Sequence, residues 1–378
     1  MAASPGMWAG RLRLTDFRNY ASLALDLDPR PMVLTGSNGA GKTNLMEALS
    51  LLAPGQGLRR VPYAELVRNG APGGWAVAAR LETPSGPHDI GTGFDPASGA
   101  ATRSVRIDGH STRPGALAEY TRMLWLTPAN DGLFTGPAGD RRRFLDRLVQ
   151  SLDGAHANSL SRYERAMRQR NRALEEDRLD AGLLEAFELE MAEAGVAVAA
   201  ARLHTVERLK RLVEARASQA SAFPWATLML EGELETRLSR EAAVDVEDVF
   251  LGDLARGRER DRAAGRALSG PHRSDLVVGH GPKSQPARSC STGEQKALLT
   301  GLVLAQAALV ADSFGGTAPV LLLDEIAAHL DAARREALFR EISALSSQTW
   351  MTGTDPELFA PLRPSARFLT VEDGGVRG

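Results

Sequence analysis

The eight residues Gly36-Ser37-Asn38-Gly39-Ala40-Gly41-Lys42-Thr43 constrain this chain more than any other stretch. Their pattern is G-x-x-x-x-G-K-[ST], a loop that turns backbone N–H groups inward around phosphate oxygens. The glycines are needed because such a loop takes backbone conformations that a Cβ resists. Lys42 reaches the outer phosphates, and the Thr43 hydroxyl is a ligand for Mg²⁺. The flanks agree with this reading. Met32-Val33-Leu34 is a short apolar run of strand type, and Leu45, Leu49 and Leu52 repeat along one helix face that Pro54-Gly55 closes. That helix would aim its positive end at the phosphates. The four fixed positions arise by chance in about one chain in a hundred of this length, and the flanking strand and helix make a chance match rarer. A nucleotide is the expected ligand.

The chain has 378 residues, enough for one to three domains. Its apolar fraction of 43% and charged fraction of 24% are those of a soluble globular protein. The net charge of −2 requires any nucleic-acid surface to be a local patch. Cys290 is the only cysteine, which excludes an intrachain disulfide or a cysteine-cluster metal site and fits a reducing cytoplasm. Met1 to Gly10 lacks a basic region followed by an apolar core, so no signal peptide is expected there. The most apolar long run, Ala297 to Ala311, contains Thr300 and Gln306 and is too short to span a bilayer. It reads as a buried helix, and no membrane partner is expected.

Along the chain, Arg11 to Leu14 and Leu23 to Leu27 alternate as half-buried strands do, with Asp16-Phe17-Arg18-Asn19-Tyr20 as the turn between them. From Gly70 to Asp108, Gly, Pro, Ser and Thr separate strand-like runs at Trp75–Leu81 and Arg103–Ile107, which predicts antiparallel hairpins. Leu124-Trp125-Leu126-Thr127-Pro128 is apolar and stops at a proline. Asp140 then opens a helical region. Leu160, Tyr163, Met167 and Leu174 recur at helical spacing, and Leu184, Phe187, Met191, Ala194, Val198 and Ala201 alternate steps of three and four. Two long antiparallel helices are expected, linked near Asp180-Ala181-Gly182. A strand at Ala226–Leu230 and a helix over Val244–Arg262 follow. Between Arg141 and Arg172 there are nine arginines (141, 142, 143, 147, 162, 165, 168, 170, 172) against three acids, Asp146, Asp153 and Glu164. Such a run is either a solvated helix face or a footprint for a phosphate backbone. Under the second reading the DNA contacts are Arg141, Arg142, Arg162, Arg165 and Arg168, with Glu175, Glu176 and Asp177 as competing partners.

Nucleotide chemistry resumes near the C-terminus. Gly270-Pro271-His272-Arg273-Ser274-Asp275 is a turn, and Ser291-Thr292-Gly293-Glu294-Gln295-Lys296 opens the apolar helix. Val320-Leu321-Leu322-Leu323-Asp324-Glu325 is a buried strand ending in two acids, the Walker B pattern. His329-Leu330-Asp331, a helix with Leu338, Ile342 and Leu345 on one face, and a strand at Trp350-Met351-Thr352 complete the pattern. Most of the chain separates the two halves of the site, and the insert between them is largely helical.

This order resembles the ABC-type ATPase heads of the SMC class. Asp16-Phe17-Arg18-Asn19-Tyr20, the phosphate loop, Arg142-Arg143-Phe144-Leu145-Asp146, Gly270 to Asp275 and Ser291 to Lys296 together resemble the RecF family, from about Leu12 to the C-terminus. The resemblance implies an α/β fold: a P-loop ABC-type ATPase head with a mixed sheet, split in sequence by a mainly helical second lobe. Residues 1–120 and 270–378 would form the head, and 121–269 the lobe. It also implies ATP-dependent binding to double-stranded and gapped DNA in recombinational repair, fork maintenance and the SOS response. RecR and RecO would be partners, and RecA an indirect one. In this class ATP joins two chains, so that the signature of one closes the site of the other. Gly36 to Thr43, with Ser291 and Gly293, would then bind ATP. Thr43 and Asp324 would hold Mg²⁺. Lys42, Asp324 and Glu325 would be catalytic, Glu325 by polarising the attacking water. Ser291, Thr292, Gly293 and Asp331 would lie at the homodimer interface. Ser291 is also in place for a simple helix cap, and His329 would be interfacial or structural.

The chain departs from transporter ATPases at two places. Their metal-contacting glutamine has no equivalent in Thr127-Pro128-Ala129-Asn130-Asp131, where Asn130 is the one amide. Their histidine after the strand beyond Walker B is replaced by Thr352-Gly353-Thr354-Asp355, where Thr354 or Asp355 would have to substitute. Slow hydrolysis is the expected consequence. A transporter subunit would need both groups and no helical lobe of this size. A nuclease of the overcoming-lysogeny type would need a further metal-dependent domain, and an SMC-like tether would need longer helices.

Overall fold

The alternation of Leu12 and Leu14 inward with Arg11 and Arg13 outward makes the first strand half-buried, and the same two-residue period runs through Trp75–Leu81, which pairs with it. The computed structural model describes residues 6–176, 181–216, 222–372 and 374–378, with only the backbone of Arg216 and His329. The chain begins with β1 (Trp8–Phe17), β2 (Tyr20–Asp26), β3 (Met32–Thr35) and α1 (Lys42–Ser50). Next come β4 (Trp75–Thr83), β5 (Gly86–Phe94), β6 (Ser104–Ile107), β7 (His110–Thr112), α2 (Leu117–Tyr120) and β8 (Met123–Leu126). The middle holds α3 (Ala138–Gln150), α4 (His156–Glu175), α5 (Ala181–Arg216), β9 (Ala226–Glu231), α6 (Glu233–Leu238), α7 (Ala243–Arg256), α8 (Arg258–Ala264), β10 (Asp275–His280) and β11 (Gln285–Pro286). The last part holds α9 (Thr292–Ser313), β12 (Val320–Leu323), α10 (Ala332–Leu345), β13 (Thr349–Thr352), β14 (Arg367–Glu372) and β15 (Gly375–Arg377).

Two compact units result. The first comprises Met1–Asp131, Gln219–Pro224 and Ser291–Gly378, and the second Gly132–Ser218 and Trp225–Cys290. These limits differ from the sequence-based boundaries at 120 and 270 for a reason of pairing. β8 belongs to the first unit because it lies parallel beside β12, and β10 belongs to the second because it pairs antiparallel with β9.

In the first unit, one antiparallel sheet has the order β2-β1-β4-β5-β6-β7, and a mixed sheet has the order β15-β14-β3-β13-β12-β8. In the mixed sheet β14, β3, β13, β12 and β8 are parallel neighbours. β3, β8, β12 and β13 are buried at every position, as strands covered on both faces must be. β14 and β15 carry no run that the sequence reading singled out. Both sheets share one core, in which Leu14, Phe17, Leu34, Leu45, Leu49, Val77, Leu322 and Trp350 pack together. α1 ends at Ser50, before the Pro54-Gly55 stop. Arg103 closes the turn beyond it by donating to the carbonyl oxygens of Leu51, Ala53 and Gly55, with Nη2 at 2.8 Å from Ala53 O. α9 is 22 residues long and apolar enough to cross a bilayer, so the length argument against a span does not hold. Burial decides the matter: 72% of its most apolar window is covered by the protein.

In the second unit, α4 and α5 pack side by side, with α5 running for 36 residues. Met191, Ala194, Val198 and Leu184 are buried, as the three-four spacing requires. Of the expected link, Asp180 lies outside the described residues, and Ala181-Gly182 already begin α5. The helix expected over Val244–Arg262 is two helices, α7 and α8, because Gly257 interrupts the run.

This unit is held by buried ions. Arg202 Nε and Nη2 donate to the two carboxylate oxygens of Asp146 at 2.8 and 2.9 Å, and its Nη1 donates to Pro271 O. His156 Nε2 lies 2.9 Å from the same carboxylate. Burial alone would raise the Asp146 carboxyl, but the His156 bond and the Arg202 charge outweigh it and hold it below its ordinary value. Arg170 is likewise buried between Glu188 and Asp261. Arg202→Met should destabilise the chain by about 3–5 kcal/mol, because it leaves a buried carboxylate unpaired. Asp146→Asn with Arg202→Met should recover much of the loss in urea unfolding. The Asp146 contribution is complete above the ordinary carboxyl value of 3.8 and is lost as pH falls through the lowered folded value.

Candidate nucleotide site

The phosphate loop lies between β3 and α1. Gly36, Gly39 and Gly41 have φ of +141°, +83° and +116°. At two of them the neighbours also forbid a side chain: a Cβ on Gly36 would meet Val371 O at 2.3 Å, and one on Gly41 would meet Asn19 Nδ2 at 2.5 Å. Ser37, Asn38 and Gly39 are exposed, while Ala40 is buried. Lys42 is buried, and its Nζ donates to Gly36 O at 2.7 Å and Ser37 O at 2.8 Å. Burial lowers the Lys42 amine, and the negative charges of Glu325 and Asp324 oppose that shift.

Thr43 Oγ1 lies 3.1 Å from both carboxylate oxygens of Asp324, 281 residues later in the chain. The strand order brings them together, since β3 and β12 flank β13 and all three end on the same side. One hydroxyl and one carboxylate in this arrangement present hard oxygen donors, and a site with few protein ligands suits Mg²⁺. Among the described residues there is no cluster of three His, Cys, Asp or Glu side chains able to hold a metal. Glu325 follows Asp324 in the left-handed region, with φ +53°. Its residue is exposed, and among the described residues no hydrogen bond or ion pair engages its carboxylate.

The residues around the loop were less legible. Asn19 Nδ2 donates to Ala40 O at 3.0 Å, and Tyr20 Oη donates to Gly41 O at 3.0 Å. Burial raises the Tyr20 phenol, which keeps it a donor. Asn44 Nδ2 donates to Asn19 Oδ1, and Glu47 of α1 accepts from Arg18 and Arg59. The turn after β1 is thus a brace for the phosphate loop, a role that its composition does not show.

The two substitution sites resolve differently. Asn130 Oδ1 accepts from Thr127 N at 3.1 Å and closes its own short turn. Asp355 accepts from Glu357 N at 2.9 Å, and Thr354 is exposed. The group that touches Walker B is Thr352, whose hydroxyl lies 2.6 Å from Asp324 Oδ1 and 2.8 Å from Glu325 N. Beside Glu325 a small cavity is lined by Thr127, Asp131, Lys296 and Asp324, with Lys296 Nζ 2.8 Å from Asp131 Oδ2.

Ser291 caps α9 in a capping box: its hydroxyl accepts from Glu294 N at 3.4 Å, and Glu294 Oε2 accepts from Ser291 N at 3.0 Å. Ser291 and Thr292 are exposed, and Gly293 has nothing within 4 Å of where a Cβ would be. Among the described residues no hydrogen bond or ion pair joins these three to the phosphate loop. Asp331 is exposed and caps α10 through Arg334 N at 2.8 Å. The side chain of His329 lies outside the described residues.

The arginine run divides in two. Arg141 forms a two-pronged pair with Asp275, Nε to Oδ1 and Nη2 to Oδ2, both 2.7 Å. Arg142 Nη1 donates to Ser274 O at 2.8 Å. Arg162 is held by Glu190 and Glu193, at 2.6 and 2.9 Å. The acids seen to compete come from α5 and β10, whereas Glu175 and Glu176 pair with none of these arginines and Asp177 lies outside the described residues. Arg165 and Arg168 are exposed, and Arg168 has Glu164 at 3.7 Å.

The family model for the RecF/RecN/SMC N-terminal domain matches residues 9–374. The DNA replication and repair protein RecF of Mesorhizobium japonicum is 54% identical over 367 residues, covering 97% of this chain and 96% of that protein. RecF of Rhizobium etli is 54% identical over 369 residues, covering 97% and 98%. The solved structure of the recombination mediator protein RecF-ATPrS in the RecFOR pathway superposes with a TM-score of 0.86 at 20% identity, over 100% of this chain and 99% of that one. The Smc head domain of Pyrococcus furiosus bound to the C-terminal domain of ScpA superposes at 0.54 with 16% identity, over 98% and 95%.

The brace makes a direct test. Asn19→Ala removes two hydrogen bonds from behind the phosphate loop and should weaken ATP binding about tenfold without unfolding the chain. Titration with a fluorescent ATP analogue, alongside thermal melting, measures both.

Proposed function

The chain belongs to the RecF family, with the ABC-type ATPase fold of SMC heads, and from that premise we propose that it is an ATP-dependent DNA-binding protein of recombinational repair and replication-fork maintenance. The observation that carries this reading is the junction of Thr43 with both oxygens of Asp324 across 281 residues, which joins the phosphate loop to Walker B in one site. Lys42 neutralises the outer phosphates, and Thr43 with Asp324 holds Mg²⁺, which supplies charge neutralisation at the phosphates when bound. Glu325, exposed beside them and with its carboxylate unengaged among the described residues, orients the attacking water. The stretches that in transporter ATPases supply the glutamine and the histidine read Thr127-Pro128-Ala129-Asn130-Asp131 and Thr352-Gly353-Thr354-Asp355 here, which supports slow hydrolysis.

In this reading two chains close on ATP. Ser291, Thr292 and Gly293 present a helix N-terminus to the γ-phosphate bound by the other chain, where backbone N–H groups and the helix dipole favour negative charge. Support comes from Gly293: among the described residues nothing requires a glycine there, while an incoming phosphate would. Asp331 lies on the same interface. The paired heads clamp double-stranded or gapped DNA, DNA stimulates hydrolysis, and hydrolysis drives release. RecR and RecO are the partners, the protein helps RecA load, and it works in the cytoplasm. Of the arginine run, Arg165 and Arg168 remain outward and carry the DNA contact, whereas Arg141, Arg142 and Arg162 serve the fold.

Two measurements test these assignments. Glu325→Gln should keep ATP binding and lower turnover roughly 100-fold or more, and Ser291→Arg should bind ATP as a monomer yet give no ATP-dependent dimer in light scattering. Undiminished turnover or undiminished dimer would remove the residue concerned from its role. Arg165→Glu with Arg168→Glu should weaken DNA binding in the presence of ATP and flatten its salt dependence by about 0.9 log units per lost phosphate contact. Arg162→Glu should instead lower thermal stability, since it puts a third acid beside Glu190 and Glu193. If the double variant binds DNA with wild-type affinity and slope, the DNA surface lies elsewhere.

A further inference from the structure

We propose that Thr352 is the positioning residue for both Walker B acids, and that its hydroxyl, rather than Thr354 or Asp355, takes over the control of the site that a histidine would otherwise provide. The proposal rests on the ATPase reading above and concerns groups within one unit of the chain.

Thr352 is the last residue of β13, the strand between β3, which leads into the phosphate loop, and β12, which ends in Asp324. It is completely buried. A threonine hydroxyl has one proton to give and lone pairs to receive. The proton goes to Asp324 Oδ1 at 2.6 Å, and a lone pair takes the N–H of Glu325 at 2.8 Å. One oxygen atom therefore fixes the side chain of the first acid and the backbone of the second.

Both bonds have consequences for chemistry. Asp324 Oδ1 accepts from Thr352, which fixes the plane of the carboxylate while both of its oxygens lie 3.1 Å from Thr43 Oγ1. Glu325 stands at φ +53°, a conformation that a residue with a Cβ adopts at a cost and keeps only where its surroundings hold it. The bond from Glu325 N to Thr352 is such a hold, and it aims the carboxylate. The next residue extends the link to the other half of the site, since Gly353 N donates to Leu34 O of β3 at 3.1 Å. A Cβ on Gly353 would meet the Phe359 ring at 2.6 Å, so this passage of chain has one path. Thr352-Gly353 thereby ties the strand that leads into the phosphate loop to Walker B.

The chemistry separates this role from packing. Valine matches threonine in shape and lacks the hydroxyl, and serine keeps the hydroxyl and lacks the methyl. Thr352→Val should lower the turnover number for ATP about 10- to 100-fold, the usual loss when a group that orients a metal-site ligand is removed. Binding of ATP without Mg²⁺, measured by calorimetry, should change less than threefold, because Lys42 and the loop are untouched. The Mg²⁺ concentration that half-saturates binding of a non-hydrolysable ATP analogue should rise, since Asp324 loses its fixed plane. Thr352→Ser should restore turnover to within about threefold of wild type. Equal turnover in Thr352→Val and wild type, or Thr352→Ser as impaired as Thr352→Val, overturns the proposal. So does a Thr352→Val whose only defect is lower thermal stability. If Thr352→Val does not fold, the Thr352→Ser turnover and Mg²⁺ titration decide alone, and a loss beyond tenfold in Thr352→Ser counts against the hydroxyl. Absence of hydrolysis in the wild-type chain itself would instead overturn the ATPase reading.

Discussion

Everything at the nucleotide site depends on one carboxylate. Asp324 accepts from Thr352 at its Oδ1 and faces Thr43 at both oxygens, and its own backbone N–H is held by Leu126 O of β8. Three chain segments far apart in sequence end at this group. Only a parallel sheet does this economically, because its strands all point their carboxyl ends to one edge, where ligands of open α/β sheets bind. The run of fully buried strands β3, β13, β12 and β8 is what such a sheet requires, and their side chains supply the core that fixes the edge.

The second unit adds buried ion pairs to its apolar core. Arg202 and Arg170 are buried, each with its carboxylates, and Arg141 is bound in two-pronged fashion by Asp275. The two motifs Arg142 to Asp146 and Gly270 to Asp275 are thus one structure: Arg142 holds Ser274 O, and Arg202 bridges Asp146 and Pro271 O. Such networks cost desolvation and return geometry, since each guanidinium accepts only one arrangement of oxygens around it. What they hold in place is the helical scaffold that leaves Arg165 and Arg168 outward.

The sequence disclosed what periodicity and local spacing encode. The phosphate loop, the buried strand before Asp324 and the seam of α5 were legible because a glycine pattern, an apolar run and a three-four repeat each have one structural meaning. It concealed what depends on pairing between distant segments. Thr352 reads as one more residue of an apolar strand until β13 is known to lie between β3 and β12. Asn19 and Tyr20 read as a turn until Gly41 is seen beneath them, where a Cβ would meet Tyr20 Oη at 2.9 Å. The arginine run was legible only as charge: composition counts charges, whereas Glu190, Glu193 and Asp275, which pair with Arg162 and Arg141, come from other elements. β14 and β15 went unread because short strands with ordinary side chains carry no signal apart from the sheet that receives them.

The central claim is that a complete site is built from the phosphate loop and Walker B of one chain and the signature of another. Mixing two inactive chains tests it most directly. Lys42→Ala lacks a working phosphate loop and keeps its signature, and Ser291→Arg is the converse. A mixed dimer then contains one intact composite site and one doubly defective site. Each variant alone should hydrolyse ATP at background rate, and the mixture should recover activity that rises with the fraction of mixed dimer. A mixture no more active than the sum of its parts would contradict it.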